Sequence, residues 1–170
     1  MSNKPTVYVE TTIPSYLTSD PSRDLIVAAN QQITHSWWKT ARDRFELVVS
    51  EFVLEEISAG NPAIAARRIA LVAALPVLRE TADVRELQAI YRRRLGLSGR
   101  VQRDLPHLAY AVAYNVDLIV SWNCSHIANG LLVRRLAKVN AELGRPTPLV
   151  ATPQLLLRPE DQPDPFGEEE

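Results

Sequence analysis

Five short apolar runs recur along this chain, and stretches with the period of a helix separate each from the next. Thr6-Val7-Tyr8-Val9 comes first, then Phe45-Glu46-Leu47-Val48-Val49, Leu75-Pro76-Val77-Leu78, Asp117-Leu118-Ile119-Val120-Ser121-Trp122 and Leu149-Val150-Ala151. Runs this short and this apolar suit strands buried on both faces, and helical crossovers join parallel strands. The pattern predicts an α/β fold: a three-layer α/β/α sandwich around a short, mainly parallel central sheet. Between the runs, Thr11-Thr12-Ile13-Pro14 reads as a helix start, with Thr12 the candidate cap and Pro14 in the first turn. Asp20-Pro21-Ser22 opens a long helix whose apolar positions are Leu25, Ile26, Ala29, Ile33, Trp37 and Ala41. Ser50 caps a helix carrying Phe52, Val53, Leu54 and Ile57 that stops at Gly60. Further helices are expected over 62–74, 81–95, 101–115 and 129–143.

At 170 residues, with 46% hydrophobic and 23% charged side chains, the chain can bury a single core. Residues 1–157 are expected to form that domain. The segment 158–170, RPEDQPDPFGEEE, reads as an acidic, proline-rich tail, either solvated or folded back over a basic groove. Six of the twenty acids lie in residues 160–170, so the rest of the chain carries 19 bases against 14 acids. A mildly basic body is compatible with a polyanionic partner. Cys124 is the one cysteine, and no run of 18 apolar residues occurs. The expectation is a cytoplasmic protein with no disulfide and no membrane partner.

Ligands of doubly wound sheets bind beyond the carboxyl ends of the strands. The polar residues there are Glu10 after the first run and Asn123 after the fourth. Asp117 opens its strand, roughly 20 Å from the Asn123 end, and belongs to the opposite edge. Glu10 is either a site carboxylate or an ordinary strand-end or helix-capping acid. Glu56 falls on the flank of the helix whose buried face is Val53, Leu54 and Ile57, where it reaches a cleft edge or stays solvated. Asp104 precedes Leu105-Pro106-His107 near a helix start, a cap position as well as a site position, and His107 reads as a core or edge histidine. Ser121 and Asn123 are hydrogen-bonding groups of a cleft. Arg92, Arg93, Arg94, Arg100 and Arg103 crowd one stretch, where they hold backbone phosphates or form a solvated helix end. Phosphate-binding glycine loops, nucleophile elbows, H-E-x-x-H and paired C-x-x-C motifs are all missing.

Taken together, Val7-Tyr8-Val9-Glu10-Thr11-Thr12-Ile13, Glu56-Ile57 with Gly60, Asp104 with Leu108-Ala109-Tyr110-Ala111, and Asp117 through Asn123 resemble the PIN domain, the metal-dependent nuclease fold of the VapC-type toxins. The likeness covers about residues 6–155, with its motifs in order. It implies a type II toxin that hydrolyses RNA at an acidic site loaded with Mg²⁺ or Mn²⁺. Glu10, Glu56 and Asp104 would be the metal-binding carboxylates, and Asn123 would complete the catalytic set. Arg92, Arg93, Arg100 and Arg103 would hold the RNA, with Thr11, Ser121 and His126 as accessory groups. The resemblance also implies a cognate antitoxin and a homodimer. Carboxylates that converge need a cation to offset their repulsion, and a divalent ion also activates water and neutralises a phosphate.

The chain departs from the family's pattern at three places. Glu10 stands where the first acid is usually Asp, and Asn123 and His126 stand where the fourth strand's end often carries acids. The expected site therefore has a charge of about −3. A rival expectation follows: a catalytically weak or inactive PIN fold that binds RNA or a protein partner.

Overall fold

Each crossover in this protein returns the chain to one sheet in the same direction. The computed structural model describes residues 4–97 and 99–161. Its strands are β1 (Thr6–Val9), β2 (Glu46–Ser50), β3 (Val77–Leu78), β4 (Leu118–Val120) and β5 (Leu149–Ala151), in the order β3-β2-β1-β4-β5. All pairings are parallel; Tyr8 sits beside Val48 on one side and Ile119 on the other. β1 is the middle strand, and Val7, Tyr8 and Val9 are fully buried. That burial explains why its run is apolar without alternation.

The helices are α1 (Thr12–Thr18), α2 (Leu25–Arg44), α3 (Glu51–Ile57), α4 (Pro62–Val72), α5 (Ala82–Arg94), α6 (Arg100–Arg103), α7 (Leu105–Ala113), α8 (Gly130–Glu142) and α9 (Pro153–Leu156). The strand order steps one way from β1 to β3 and the other way from β4 to β5. Right-handed crossovers in opposite directions put their helices on opposite faces. In accord with this, α1 packs on α2 and α4, and α2 on α9, while α5 packs on α7 and α8. The observed architecture is the three-layer α/β arrangement expected. No helix among the described residues is long and apolar enough to cross a membrane.

Several local expectations need correction. α2 starts at Leu25, because the Asp24 carboxylate accepts from the backbone N–H groups of Ile26 and Val27. Leu25 and Ile26 are then 85% and 74% exposed; Trp37 and Ala41 are buried as expected, and Gln31 and Thr34 join them on that face. Asp20 and Ser22 are held outside the helix by Gln31, whose amide bonds to both backbones. The helix expected over 101–115 is two pieces broken at Asp104. Pro106 has no N–H to give to the carbonyl of Gln102, so the helix cannot run through. The edge strand β3 is two residues long, because Pro76 before it can accept a ladder bond (Val49 N–H, 3.0 Å) but cannot donate one. Of the tail, Pro159–Asp161 forms a 3₁₀ turn, and residues 162–170 lie outside the described residues.

Ser50 caps α3 as its position predicts: its hydroxyl accepts from Val53 N–H at 3.1 Å. The same buried oxygen lies 2.7 Å from the Tyr8 hydroxyl, so one side chain fixes both the helix start and the central strand. Ser50→Ala is expected to lower stability by about 1–2 kcal/mol in urea unfolding; a loss below about 0.5 kcal/mol would show that the cap does not hold α3.

Candidate active site

The strand order reverses between β1 and β4, and a crevice opens beyond their carboxyl ends. Glu10 follows β1 there, tied to β4 through its own N–H on the Val120 carbonyl. It is 3% exposed. A desolvated carboxylate needs donors, and one oxygen has three: the Ser121 hydroxyl at 2.7 Å, the Thr12 hydroxyl at 2.6 Å and the Thr12 N–H at 3.1 Å. The other oxygen, Oε1, accepts no hydrogen bond among the described residues and lies 3.8 Å from His107 Nε2. Glu10, not Thr12, therefore meets the first turn of α1. The Thr12 hydroxyl is spent on Glu10 and accepts from Trp122 N–H at 2.9 Å, which binds the start of α1 to the end of β4.

Glu56 arrives from α3, on the flank where helical geometry puts it, with its side chain 34% exposed. The Thr11 hydroxyl donates to Oε2 at 2.5 Å, and His107 Nε2 lies 3.0 Å from the same oxygen. Partial burial pushes the Glu56 carboxyl up, but His107 and the Thr11 hydroxyl outweigh it and hold the group below its ordinary value.

His107 is buried as a core histidine, but among polar neighbours. It stands on α7, is 1% exposed, and packs edge-on against Phe52 and Tyr8. Its Nδ1 is 2.8 Å from the Tyr8 hydroxyl, and burial raises that phenol well above its usual pKa, keeping it protonated. Its Nε2 approaches Glu56 closely without the alignment of a hydrogen bond and has no aligned partner among the described residues. Glu10, Glu56 and His107 each offer a donor atom, and these atoms lie within 4.8 Å of one another. Two carboxylates and an imidazole nitrogen in that space fit a divalent cation.

Asp104 is outside that group. It makes no capping bond; its Oδ2 lies 2.6 Å from His126 Nδ1 and accepts from the Asn123 amide at 3.2 Å. Asn123 Oδ1 accepts from His126 N–H, and Asn123 N–H donates to the Ser121 hydroxyl at 2.9 Å. Ser121 thus links the outer trio of Asp104, Asn123 and His126 to Glu10. The grouping foreseen from sequence brings Glu10 and Glu56 together but leaves Asp104 beside them, and it omits His107 and Tyr8. A signal for His107 existed: it stands inside the apolar run Leu105 to Val112, and a histidine inside so apolar a helix needs a polar partner.

Glu56 also lines a groove of about 660 Å³ whose walls include Phe52, Arg92, Gln102, Arg103 and Pro106. Arg93 is exposed on the last turn of α5 beside Arg92, while Arg94 is ion-paired with Glu142. The side chain of Arg100 lies outside the described residues.

No family model matches the chain, and no curated protein matches it. Its fold is similar to that of a chain of VapBC2 from Rickettsia felis, crystallised bound to a DNA fragment from their promoter. The TM-score is 0.56 at 13% identity, over 86% of this chain and 98% of that one. A chain of VapBC-1 from nontypeable Haemophilus influenzae is similar to the same degree: TM-score 0.56, 13% identity, 87% and 98% coverage. At such identity the likeness concerns the fold, which is the PIN-like one expected.

The Glu10 network sets a stability test. Thr12→Val removes a donor from a buried carboxylate and the acceptor of Trp122 N–H, and is expected to cost about 1–3 kcal/mol in denaturant unfolding. A neutral result would mean that Glu10 does not depend on Thr12.

Proposed function

We propose that this protein is a metal-dependent endoribonuclease, the toxin of a toxin–antitoxin pair, hydrolysing RNA phosphodiesters with a metal-activated water. The observation that carries this reading is the meeting of Glu10, Glu56 and His107 at the strand-order reversal, beside a groove walled by Arg92 and Arg103. Glu10 and Glu56 would hold Mg²⁺ or Mn²⁺, which when bound supplies a more acidic water and offsets charge on the phosphate. Arg92, Arg93 and Arg103 would hold backbone phosphates along the groove, with sequence-independent affinity. Asp104 and His126, 2.6 Å apart, form a carboxylate–imidazole pair suited to moving a proton at the edge of the site. Asn123 would orient that pair, and Ser121 and Thr11 would keep Glu10 and Glu56 aimed.

The partners are part of the same proposal. The structural neighbours are chains of VapBC2 and VapBC-1, which supports an antitoxin partner for this chain; a homodimer and a cytoplasmic location belong to the proposal itself. A second reading is favoured by one observation: Asp104 is occupied by His126 and Asn123 rather than joined to the two glutamates. On that reading the protein is a catalytically weak module that binds RNA or a protein partner.

Incubating the protein with structured RNA and millimolar Mg²⁺ or Mn²⁺ separates the two. Cleavage is expected, and Glu10→Gln and Glu56→Gln should each reduce it by about a hundredfold or more. Cleavage untouched by both substitutions removes the nuclease assignment, and RNA binding without cleavage selects the second reading. Arg103→Ala should weaken RNA binding for all sequences alike and reduce the salt slope by about one.

A further inference from the structure

We propose that the cation of this site is held by an imidazole as well as by carboxylates: His107 Nε2 is the third protein ligand beside Glu10 and Glu56, and the set prefers Mn²⁺ to Mg²⁺. This inference rests on the reading of the site as metal-binding and specifies its ligands and selectivity.

The carrying observation is the unsatisfied nitrogen. His107 is 1% exposed, yet Nε2 has no aligned hydrogen-bond partner. It lies 3.0 Å from Glu56 Oε2 and 3.8 Å from Glu10 Oε1, so it stands between two carboxylates without bonding properly to either. A buried polar atom in that state is unfavourable, and a cation shared by all three groups removes the cost. Glu10 is arranged in the same sense, since its three donors all fall on Oε2 and Oε1 is left toward His107.

The second observation is the support behind the ring. Histidines that bind metals donate their other N–H to a fixed acceptor, which sets the tautomer. Here Nδ1 is 2.8 Å from the buried Tyr8 hydroxyl, which is 2.7 Å from the Ser50 hydroxyl. Both hydroxyls can donate or accept, so the relay can hold Nδ1 as donor or acceptor without any heavy atom moving. With Nδ1–H on Tyr8, Nε2 presents a lone pair to the site. Phe52 and Tyr8 pack on the ring and fix its plane.

Selectivity follows from the donor atoms. Mg²⁺ favours an all-oxygen shell and keeps its waters, whereas first-row transition ions gain from an imidazole nitrogen. Asp104, paired with His126, is not available to add a third carboxylate at this place. The competing arrangement has no ion, and His107 pairs with the glutamates directly.

Mn²⁺ bound to the full-length protein tests the ligand directly. Its electron spin-echo signal should carry the coupling of a directly bonded nitrogen, and His107→Gln should abolish that coupling. Calorimetry on the wild type should give Mn²⁺ an affinity at least about tenfold above that of Mg²⁺. In His107→Gln that ratio should collapse toward one, with circular dichroism confirming the fold. Tyr8→Phe should keep the nitrogen coupling and weaken Mn²⁺ by about 10–100-fold. Bound Mn²⁺ with no nitrogen coupling, equal wild-type affinities, or no Mn²⁺ binding at millimolar levels each overturns the proposal. Nitrogen-coupled Mn²⁺ in a protein that cleaves no RNA upholds the ligand set and rejects the nuclease reading. RNA cleavage with Mg²⁺ and no nitrogen coupling does the reverse.

Discussion

A carboxylate buried at the end of the central strand is the constraint around which this site is organised. Burying Glu10 without partners would cost several kcal/mol, and the chain around it is arranged to prevent that. Thr12 supplies a hydroxyl and a backbone N–H, and Ser121 supplies a second hydroxyl from the end of β4. Neither side chain serves Glu10 alone. Thr12 also accepts from Trp122 N–H, and Ser121 accepts from Asn123 N–H. The solution to one desolvation problem therefore fixes the start of α1 and the loop after β4 relative to β1. Parallel pairing makes this possible, because it brings the carboxyl ends of β1 and β4 to one edge.

What the amino-acid order disclosed, and what it hid, divides along local and non-local lines. β1 and β4 were legible as apolar runs, and Ser50 as a cap, because each signal lies within a few consecutive residues. Glu10 and Glu56 were legible as candidates because a strand end and a helix flank can be placed from periodicity alone. The start of α2 was not. The expected start at Asp20–Ser22 is displaced to Asp24 because Gln31 captures the Asp20–Ser22 turn from nine or more residues away. The partners of Asp104 were hidden for a similar reason. They sit about 20 residues away in a loop whose shape no local pattern specifies. His107 looked like core because it is core; its contacts with Tyr8, 99 positions away, and with Glu56 are what place it beside the two glutamates.

The site has an inner and an outer part joined by one hydroxyl. Ser121 has a single proton, donated to Glu10, while its oxygen takes the N–H of Asn123. The direction of that short chain is thereby set by Glu10. The amide of Asn123 in turn donates to Asp104, and its carbonyl receives His126 N–H. Glu10 and the Asp104–His126 pair are thus held at the two ends of one series of contacts, with Ser121 and Asn123 between them.

Access to the inner part is one-sided. Glu10 and His107 are almost wholly enclosed, whereas a third of the Glu56 side chain remains open and lines the groove with Arg92 and Arg103. A polyanion drawn along those arginines would reach Glu56 before any other member of the inner group. Two carboxylates at that end would repel it, and the guanidinium groups on the walls do not remove a repulsion centred deeper in the crevice. A divalent cation between Glu10, Glu56 and His107 would cancel the charge of the two carboxylates and leave its own open positions to a phosphate oxygen. The same ion that relieves the buried nitrogen would then make the floor of the groove attractive to phosphate, so stability of the inner part and affinity for the polyanion would rise together.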